Sequence, residues 1–84
     1  MTQTTRIALI GILIEQEDAV EPVNQALHEY SNYIVGRMGI PYREKEVNII
    51  SVVLDAPENI ISTLSGRLGM IQGATVKSMF TKKK

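Results

Sequence analysis

Two segments of the chain are apolar at both alternating sets of positions. They are IALIGILI at Ile7–Ile14 and VNIISVVLD at Val47–Asp55. A strand with one solvated face alternates apolar with polar residues, whereas a strand covered on both faces is a nearly continuous apolar run. The pattern therefore predicts two central strands, over residues 6–14 and 47–55.

Two amphipathic helices are predicted by apolar residues spaced three and four apart. The first helix starts between Asp18 and Glu21, which resemble a capping box, and ends near Asn32. The second follows Asp55, which we expect to cap it, and Gly73 supplies a left-handed stop. The two stripes are Val20, Val23, Leu27, Tyr30 and Ile34 in the first helix, and Ile60, Ile61, Leu64, Leu68 and Ile71 in the second.

Two further strands complete the pattern. YIVGRMGIPYRE favours an irregular strand with a bulge at a glycine and, because of Pro41, an edge position. ATVKSMF at Ala74–Phe80 forms the last strand. Right-handed crossovers fold the order β-α-β-β-α-β into an α+β, ferredoxin-like, four-stranded antiparallel sheet with both helices on one face. We expect one domain over residues 1–84, with frayed tails at 1–5 and 81–84.

The sheet face opposite the helices is predicted to be apolar and uncovered. It exposes about four to six aliphatic side chains of the central strands, on the order of several hundred Å², which is more than a soluble monomer usually leaves open. Burying that patch between identical subunits contributes several kcal/mol per subunit, at about 25 cal/mol per Å². We therefore expect a homo-oligomer that assembles through the open sheet face.

Composition and charge exclude several classes of function. The chain has no cysteine, and its nine basic residues equal its nine acidic residues in number. Lys82, Lys83 and Lys84 hold three of the basic charges, so residues 1–81 carry a net charge of −3, a poor platform for nucleic-acid phosphates. The apolar run Ile7–Ile14 is too short for a bilayer span, which needs about twenty residues. We expect a cytoplasmic protein without membrane or direct DNA contact.

No catalytic or metal-binding constellation emerges from the polar residues. His28 is the only histidine, and without cysteine it lacks partners for the three or four converging ligands of a metal site. The acidic residues within 15–21 lack the spacing of a calcium loop, and no Ser/His/Asp set can be assembled. We expect a surface histidine and no cofactor. A small enzyme with its site at a subunit interface is the weakest alternative.

Two similar phrases, GRMG at Gly36–Gly39 and GRLG at Gly66–Gly69, hold the candidate binding residues. Neither follows a strand and opens a helix, as a phosphate cradle requires. Glycines within the second helix cost about 1 kcal/mol each relative to alanine, and two interpretations of that cost stay open. Either the helix packs tightly on another helix or on a partner subunit, or it leaves a gap that admits an anionic effector. The predicted effector-binding residues are Arg67, Gly66, Gly69 and Arg37.

The ordered phrases along the chain resemble one known family. VNQALHEYS in the first helix, GRMGIPYRE in the second strand and ISTLSGRLGMIQGATVKS at the end are similar to phrases shared by the iron-only hydrogenase system regulators. The resemblance covers nearly the whole chain. It implies an ACT-like regulatory domain, similar to the C-terminal, effector-binding domain of nickel-responsive repressors.

The resemblance implies a regulator, and it does not extend to nickel binding. The repressors bind nickel with histidines and a cysteine around the second strand, where this sequence has Arg37, Gly39 and Glu46. We therefore expect a non-enzymatic, homo-oligomeric regulatory module that binds a small-molecule effector or a partner protein at a subunit interface. The alternative is a structural or scaffolding oligomer without a small-molecule effector.

Overall fold

Four strands and two helices follow one another in the predicted order, in a computed structural model that describes residues 4–82. Short 3-10 turns precede and follow the first helix, and a third joins the second and third strands. The elements are β1 (Thr5–Ile14), α1 (Val20–Glu29), β2 (Ile34–Tyr42), β3 (Val47–Pro57), α2 (Glu58–Gly69) and β4 (Ala74–Phe80).

The sheet is antiparallel throughout and has the strand order β2-β3-β1-β4. β1 and β3 lie at its centre and pair along their whole length, from Thr5 opposite Pro57 to Ile14 opposite Asn48. These are the two strands whose sequences are apolar on both alternating sets. The arrangement confirms the predicted ferredoxin-like fold.

The hydrophobic core lies between one face of this sheet and the two helices. Side chains alternate along β1, so that Ala8, Ile10, Ile12 and Ile14 are buried while their neighbours face outwards. No polar or charged residue among those described is buried, and the core is held by apolar contact alone. The helices contribute Val23, Ala26 and Leu27 from α1 and Ile61, Leu64 and Leu68 from α2.

The start of α2 differs from the prediction. Asp55 lies within β3, opposite Ile7 of β1, and the helix begins three residues later, at Glu58. Pro57 precedes the helix with extended backbone angles, and no side chain caps it. The prediction that Asp55 caps this helix was therefore wrong. Pairing with β1 keeps the chain extended through Pro57, so the carboxylate is too far from the first helical N–H groups.

α1 begins at Val20, between Asp18 and Glu21 as predicted, but the predicted capping box does not form and the helix ends early. Asp18 belongs to the 3-10 turn Glu17–Ala19, and no side chain caps either this turn or the helix that follows. The α-helix ends at Glu29 rather than near Asn32, because Ser31–Tyr33 tightens into a second 3-10 turn. A final turn of 3-10 geometry is common at helix ends, and sequence periodicity does not distinguish it from the α-helix.

β2 is the edge strand that its glycines and Pro41 predict. A bulge lies between Ile34, opposite Leu54, and Gly36, opposite Val53. Almost every residue of β2 is exposed, since the helices cover the sheet nearer its centre. The other side of the sheet ends at β4, where the Thr81 N–H donates to the Ile7 carbonyl at 2.9 Å.

One residue of each predicted tail contacts the sheet. Thr5 begins β1, and Thr81, which follows β4, is hydrogen-bonded to Ile7 of β1; fraying of the tails stays a prediction. Arg6 adds a hydrogen bond to the Thr81 carbonyl at 3.2 Å and lies 5.6 Å from the centre of the Phe80 ring. Residues 1–3 and 83–84 lie outside the described residues.

Gly73 closes the turn between α2 and β4. It has a positive φ of +92°, as predicted, but α2 ends four residues earlier, at Gly69, so the prediction that Gly73 stops the helix was wrong. Its carbonyl accepts the N–H groups of Glu15 at 2.7 Å and Gln16 at 3.3 Å, which joins this turn to the end of β1. A Cβ added to Gly73 would lie 2.7 Å from the Cβ of Gln16, so the site excludes any side chain.

Gly73→Ala is expected to lower the free energy of unfolding by about 1–3 kcal/mol, since it combines a positive φ with steric overlap. Gly66→Ala is the matched control in α2, where an added Cβ meets no atom within 4 Å. The control is expected to raise the free energy of unfolding by about 0.5–1 kcal/mol. Urea unfolding measures both, and an unchanged midpoint for Gly73→Ala would contradict the described turn.

Candidate functional site

Arg67, the leading predicted effector contact, is already paired within the chain. Its Nη1 and Nη2 atoms donate to Glu29 Oε1 and Oε2 at 2.5 and 2.9 Å, a two-point contact between α2 and the end of α1. The two side chains are about 40% exposed. The pair therefore fastens the two helices together at the surface, and the arginine has its carboxylate partner before any effector arrives.

Hydrogen bonding to Arg67 lowers the pKa of Glu29 to about 2, with the Arg67 charge as a further cause. The same hydrogen bond raises the pKa of Arg67. Both directions describe one charge-assisted pair in which each ion stabilises the other. Because the pair is open to water, solvent screening keeps its contribution to stability small.

Gly66 and Gly69, the other α2 candidates, lie on an exposed surface. A Cβ added to either would meet no atom within 4 Å. The interpretation that these glycines let α2 pack tightly on the other helix was therefore wrong for contacts within the described chain. The buried face of α2 instead carries Leu64 and Leu68, which point to the sheet. Close packing of the glycines against a partner subunit stays a prediction.

Arg37, the remaining candidate, lies on the helix side of β2. It pairs with the buried Val52 of β3, and its Nη2 atom donates to Asn24 Oδ1 of α1 at 3.1 Å. Arg37 thus contacts α1 at Asn24, whereas Arg67 contacts α1 at its end, at Glu29. The structure does not bring the four predicted residues into one site.

A groove runs between α1 and β2, and Arg37 lies in it. Two adjoining cavities of about 290 and 460 Å³ make up this α1–β2 groove, and both include Arg37 and Asn24. No acidic residue of the described part of the chain lines either cavity. The side chains and backbone that line it come from α1 (Val20, Asn24, Leu27, His28), the following turn (Ser31), β2 (Ile34, Arg37, Gly39, Ile40, Pro41), β3 (Asn48, Ile49, Ile50) and the end of β1 (Ile14).

The groove exists because β2 presents little side-chain volume to α1. Gly39 lies opposite Ile50, and a Cβ at this glycine would meet open space. Pro41 lies opposite Asn48. Ile50 is 7% exposed and forms the floor of the groove. An uncovered edge strand with a missing side chain leaves a cleft that is apolar at its base and polar at Arg37.

The charge of Arg37 is not neutralised by a carboxylate of the described residues. Arg6 lies 3.6 Å from Glu58 and Arg67 pairs with Glu29, but Arg37 has only its hydrogen bond to the neutral amide of Asn24. Sequence reasoning named Arg37 and missed Asn24. No sequence signal links the two, since their contact depends on how α1 crosses the sheet edge.

The second distinctive surface is the open sheet face, which we define as the outward side chains of the four strands. Ile7, Leu9 and Leu13 are each 40% exposed or slightly more. The strand register arranges the middle of the face in three rows, which are Ile40, Ile49, Leu13 and Thr75; then Met38, Ser51, Gly11 and Lys77; then Gly36, Val53, Leu9 and Met79. Ile7 lies in a further row, opposite Asp55. The predicted apolar surface is present, and assembly through it stays a prediction.

Within residues 4–82, no group of three or more His, Cys, Asp or Glu residues is placed to hold a metal ion. Among the helices formed by the same residues, none is long and apolar enough to cross a membrane.

Comparison with known proteins assigns the family. Residues 6–78 match the TM1266-like family, described as "Iron-only hydrogenase system regulator, putative". The chain belongs to this family. The uncharacterized protein TM1266 from Thermotoga maritima has a solved structure that is 38% identical in sequence, with a TM-score of 0.88 over 93% of this chain and 99% of that one. No curated protein matches the chain in sequence.

Two more distant solved structures share the fold alone. One is the C-terminal domain of the MgtC protein from Mycobacterium tuberculosis, at 12% identity and a TM-score of 0.72 over 98% of this chain and 94% of that one. The other is a formyltetrahydrofolate deformylase from Pseudomonas putida KT2440, at 16% identity and a TM-score of 0.58, over 88% of this chain and 28% of that one. The shared ferredoxin-like arrangement does not by itself indicate a function.

The Glu29–Arg67 pair makes stability depend on pH. The pKa of Glu29 falls from 4.5 to about 2 on folding, so the stabilisation is complete above about pH 4.5 and is lost as the pH falls through about 2. A carbon-detected NMR titration of the Glu29 carboxyl group should therefore have its midpoint near 2. Arg67→Gln should return the midpoint towards 4.5, whereas the control Arg37→Gln should leave it low. A midpoint near 4.5 in the unmodified protein would contradict the pairing.

Proposed function

We propose that this protein is a non-catalytic, cytoplasmic regulatory module of the iron-only hydrogenase system, which assembles as a homo-oligomer and responds to a small-molecule effector. The observation that carries the proposal is the open sheet face, together with the family to which the chain belongs. A regulator of this size has few ways to transmit a signal. Changing its own assembly, or the surface that assembly presents, is the simplest of them.

The size of the open face supports assembly between copies. Four strands about 4.8 Å apart and about 30 Å long give a face of about 600 Å². Two such faces remove about 1,200 Å² or more from water when they pack together, which reaches the lower end of stable, specific interfaces. Ile7, Leu9 and Leu13 supply the apolar centre that such an interface requires.

The polar residues of the face are compatible with this packing. Lys77 and Ser51 lie in the middle row, on either side of Gly11. Lys77 belongs to the edge strand β4, where a long side chain can extend past the rim and keep its ammonium group in water. Pairing through the three rows therefore does not require an unpaired buried charge, and Asp55, opposite Ile7, lies outside them.

The groove and the open face share the same two strands, which offers a physical route for regulation. Ile50 forms the groove floor, and its neighbour Ile49 points to the open face. On β2, Gly39 likewise lies on the groove side, and its neighbour Ile40 lies on the open face. A ligand that shifts β2 against β3 would therefore move side chains of the proposed interface.

One observation favours a second candidate function, a scaffolding oligomer without a small-molecule effector. Arg67, the residue singled out for anion binding, is held by Glu29. Effector binding therefore has to be tested separately from assembly.

Assembly through the open face predicts that Leu9→Lys lowers the molar mass in solution to that of the monomer, because it places a charge at the centre of the interface. Met70→Lys is the matched control, since Met70 is 87% exposed and follows α2 on the far side of the sheet. Light scattering after size-exclusion chromatography measures both. A monomer in the unmodified protein at micromolar concentration would overturn assembly.

Effector binding predicts a rise in thermal stability with at least one class of small molecule. A ligand at about 100 times its dissociation constant adds about 2.7 kcal/mol to the free energy of unfolding. The screen comprises short carboxylates, nucleotides and divalent metal salts, each followed by fluorescence-detected melting. A concentration-dependent stabilisation supports the regulatory function, and no stabilisation by any class supports the scaffold.

A further inference from the structure

We propose that the α1–β2 groove binds a small aliphatic monocarboxylate, with Arg37 holding the carboxylate group. The inference rests on the effector-binding part of the proposed function and moves the site from the α2 surface to the edge of the sheet. Four observations carry it: an arginine without an acidic partner, an apolar floor, the charge count of the groove, and the shape of β2.

Arg37 supplies the charge that a carboxylate needs. Its hydrogen bond to Asn24 uses one N–H group of Nη2 and fixes the orientation of the guanidinium across the groove. The other N–H groups of the planar fork stay available, and that geometry matches the two oxygens of a carboxylate. Glu29 makes the same two-point contact with Arg67 elsewhere in this molecule, at 2.5 and 2.9 Å.

The groove floor selects an aliphatic body. Ile14 and Ile50 are buried at its base, and Val20 closes the side formed by α1. Gly39 leaves the space above Ile50 empty. At about 290 Å³, this part of the groove has the size of a site for a small molecule. A short hydrocarbon chain lying there removes apolar surface from water while its charged end reaches Arg37.

The charge count favours a monocarboxylate over phosphate. Among residues 4–82, Arg37 is the only Lys or Arg residue that lines either cavity of the groove. None of residues 15–19, which connect β1 to α1, lines either cavity, whereas dianionic phosphate sites normally receive backbone N–H groups from such a strand-to-helix turn. The single positive charge of Arg37, beside the neutral amide of Asn24, balances the single negative charge of a monocarboxylate.

The shape of β2 disfavours an extended peptide at the same edge. The bulge between Ile34 and Gly36 interrupts the strand register, and Pro41 has no N–H group to donate to an added strand. Both features protect sheet edges against further strand pairing. A free small molecule therefore suits the groove better than a strand of a partner protein.

The test is an NMR titration of the ¹⁵N-labelled full chain with sodium butyrate. We expect concentration-dependent shifts of the amides of Asn24, Arg37 and Gly39. Butyramide, which has the same shape without the charge, should produce shifts at least about tenfold weaker, since it removes a charge-assisted hydrogen bond. Inorganic phosphate should bind more weakly than butyrate.

Three variants locate the site. Arg37→Gln should weaken butyrate binding by about tenfold or more. Gly39→Ile should abolish it by filling the space above Ile50, and the open surroundings of this glycine predict that the fold survives the change. Arg67→Gln, the matched control, should leave the affinity within about twofold of the unmodified protein, because Arg67 lies outside the groove.

Four results would overturn the inference. They are no shift with butyrate, equal binding of butyramide, unchanged affinity of Arg37→Gln in a folded protein, and shifts centred on α2 around Arg67. These failures are distinct from failure of the proposed function. If nucleotides or metal salts stabilise the protein while butyrate shifts nothing, the regulatory function stands and the groove inference falls. If butyrate binds through Arg37 while the protein is monomeric, assembly falls and the groove stands.

Discussion

The pairing of β1 with β3 at the centre of the sheet is the interaction on which the rest of the structure depends. Both strands carry apolar side chains on both faces of the sheet. Each face therefore needs a covering layer, and a face without one exposes apolar side chains to water. The two helices cover one face and enclose a core without buried polar residues among those described. The second face then has no cover within the described chain, and its exposed aliphatic residues follow directly from the composition of these two strands.

The position of β2 at the sheet edge creates the α1–β2 groove, the candidate binding site. Since α1 covers the sheet nearer its centre, the helix side of β2 is left uncovered and Gly39 opens a groove. Arg37 spans this groove to Asn24. The same strand is therefore a boundary of the fold and one wall of the candidate site. Its bulge and Pro41 keep that boundary from pairing further.

The two arginines of the repeated GR phrases have different surroundings, although their sequence contexts look alike. Arg67 is neutralised by Glu29 and fastens the two helices, whereas Arg37 faces an apolar groove without a carboxylate among the described residues. An arginine paired with a carboxylate of the same chain is a structural contact, and one without a carboxylate partner beside an apolar groove is a better candidate for ligand binding. This contrast is the reason for proposing a site at the sheet edge rather than on α2.

By itself, the sequence determined the order of elements, the central places of β1 and β3, the edge place of β2 and the left-handed turn at Gly73. These follow from local periodicity and from the backbone limits of glycine and proline. Only the tertiary structure decided that Asp55 stays in a strand, that Glu29 pairs with Arg67, and that Asn24 accepts a hydrogen bond from Arg37. Each of these depends on how elements distant in sequence cross or pair, and residue spacing along one element carries no information about that geometry.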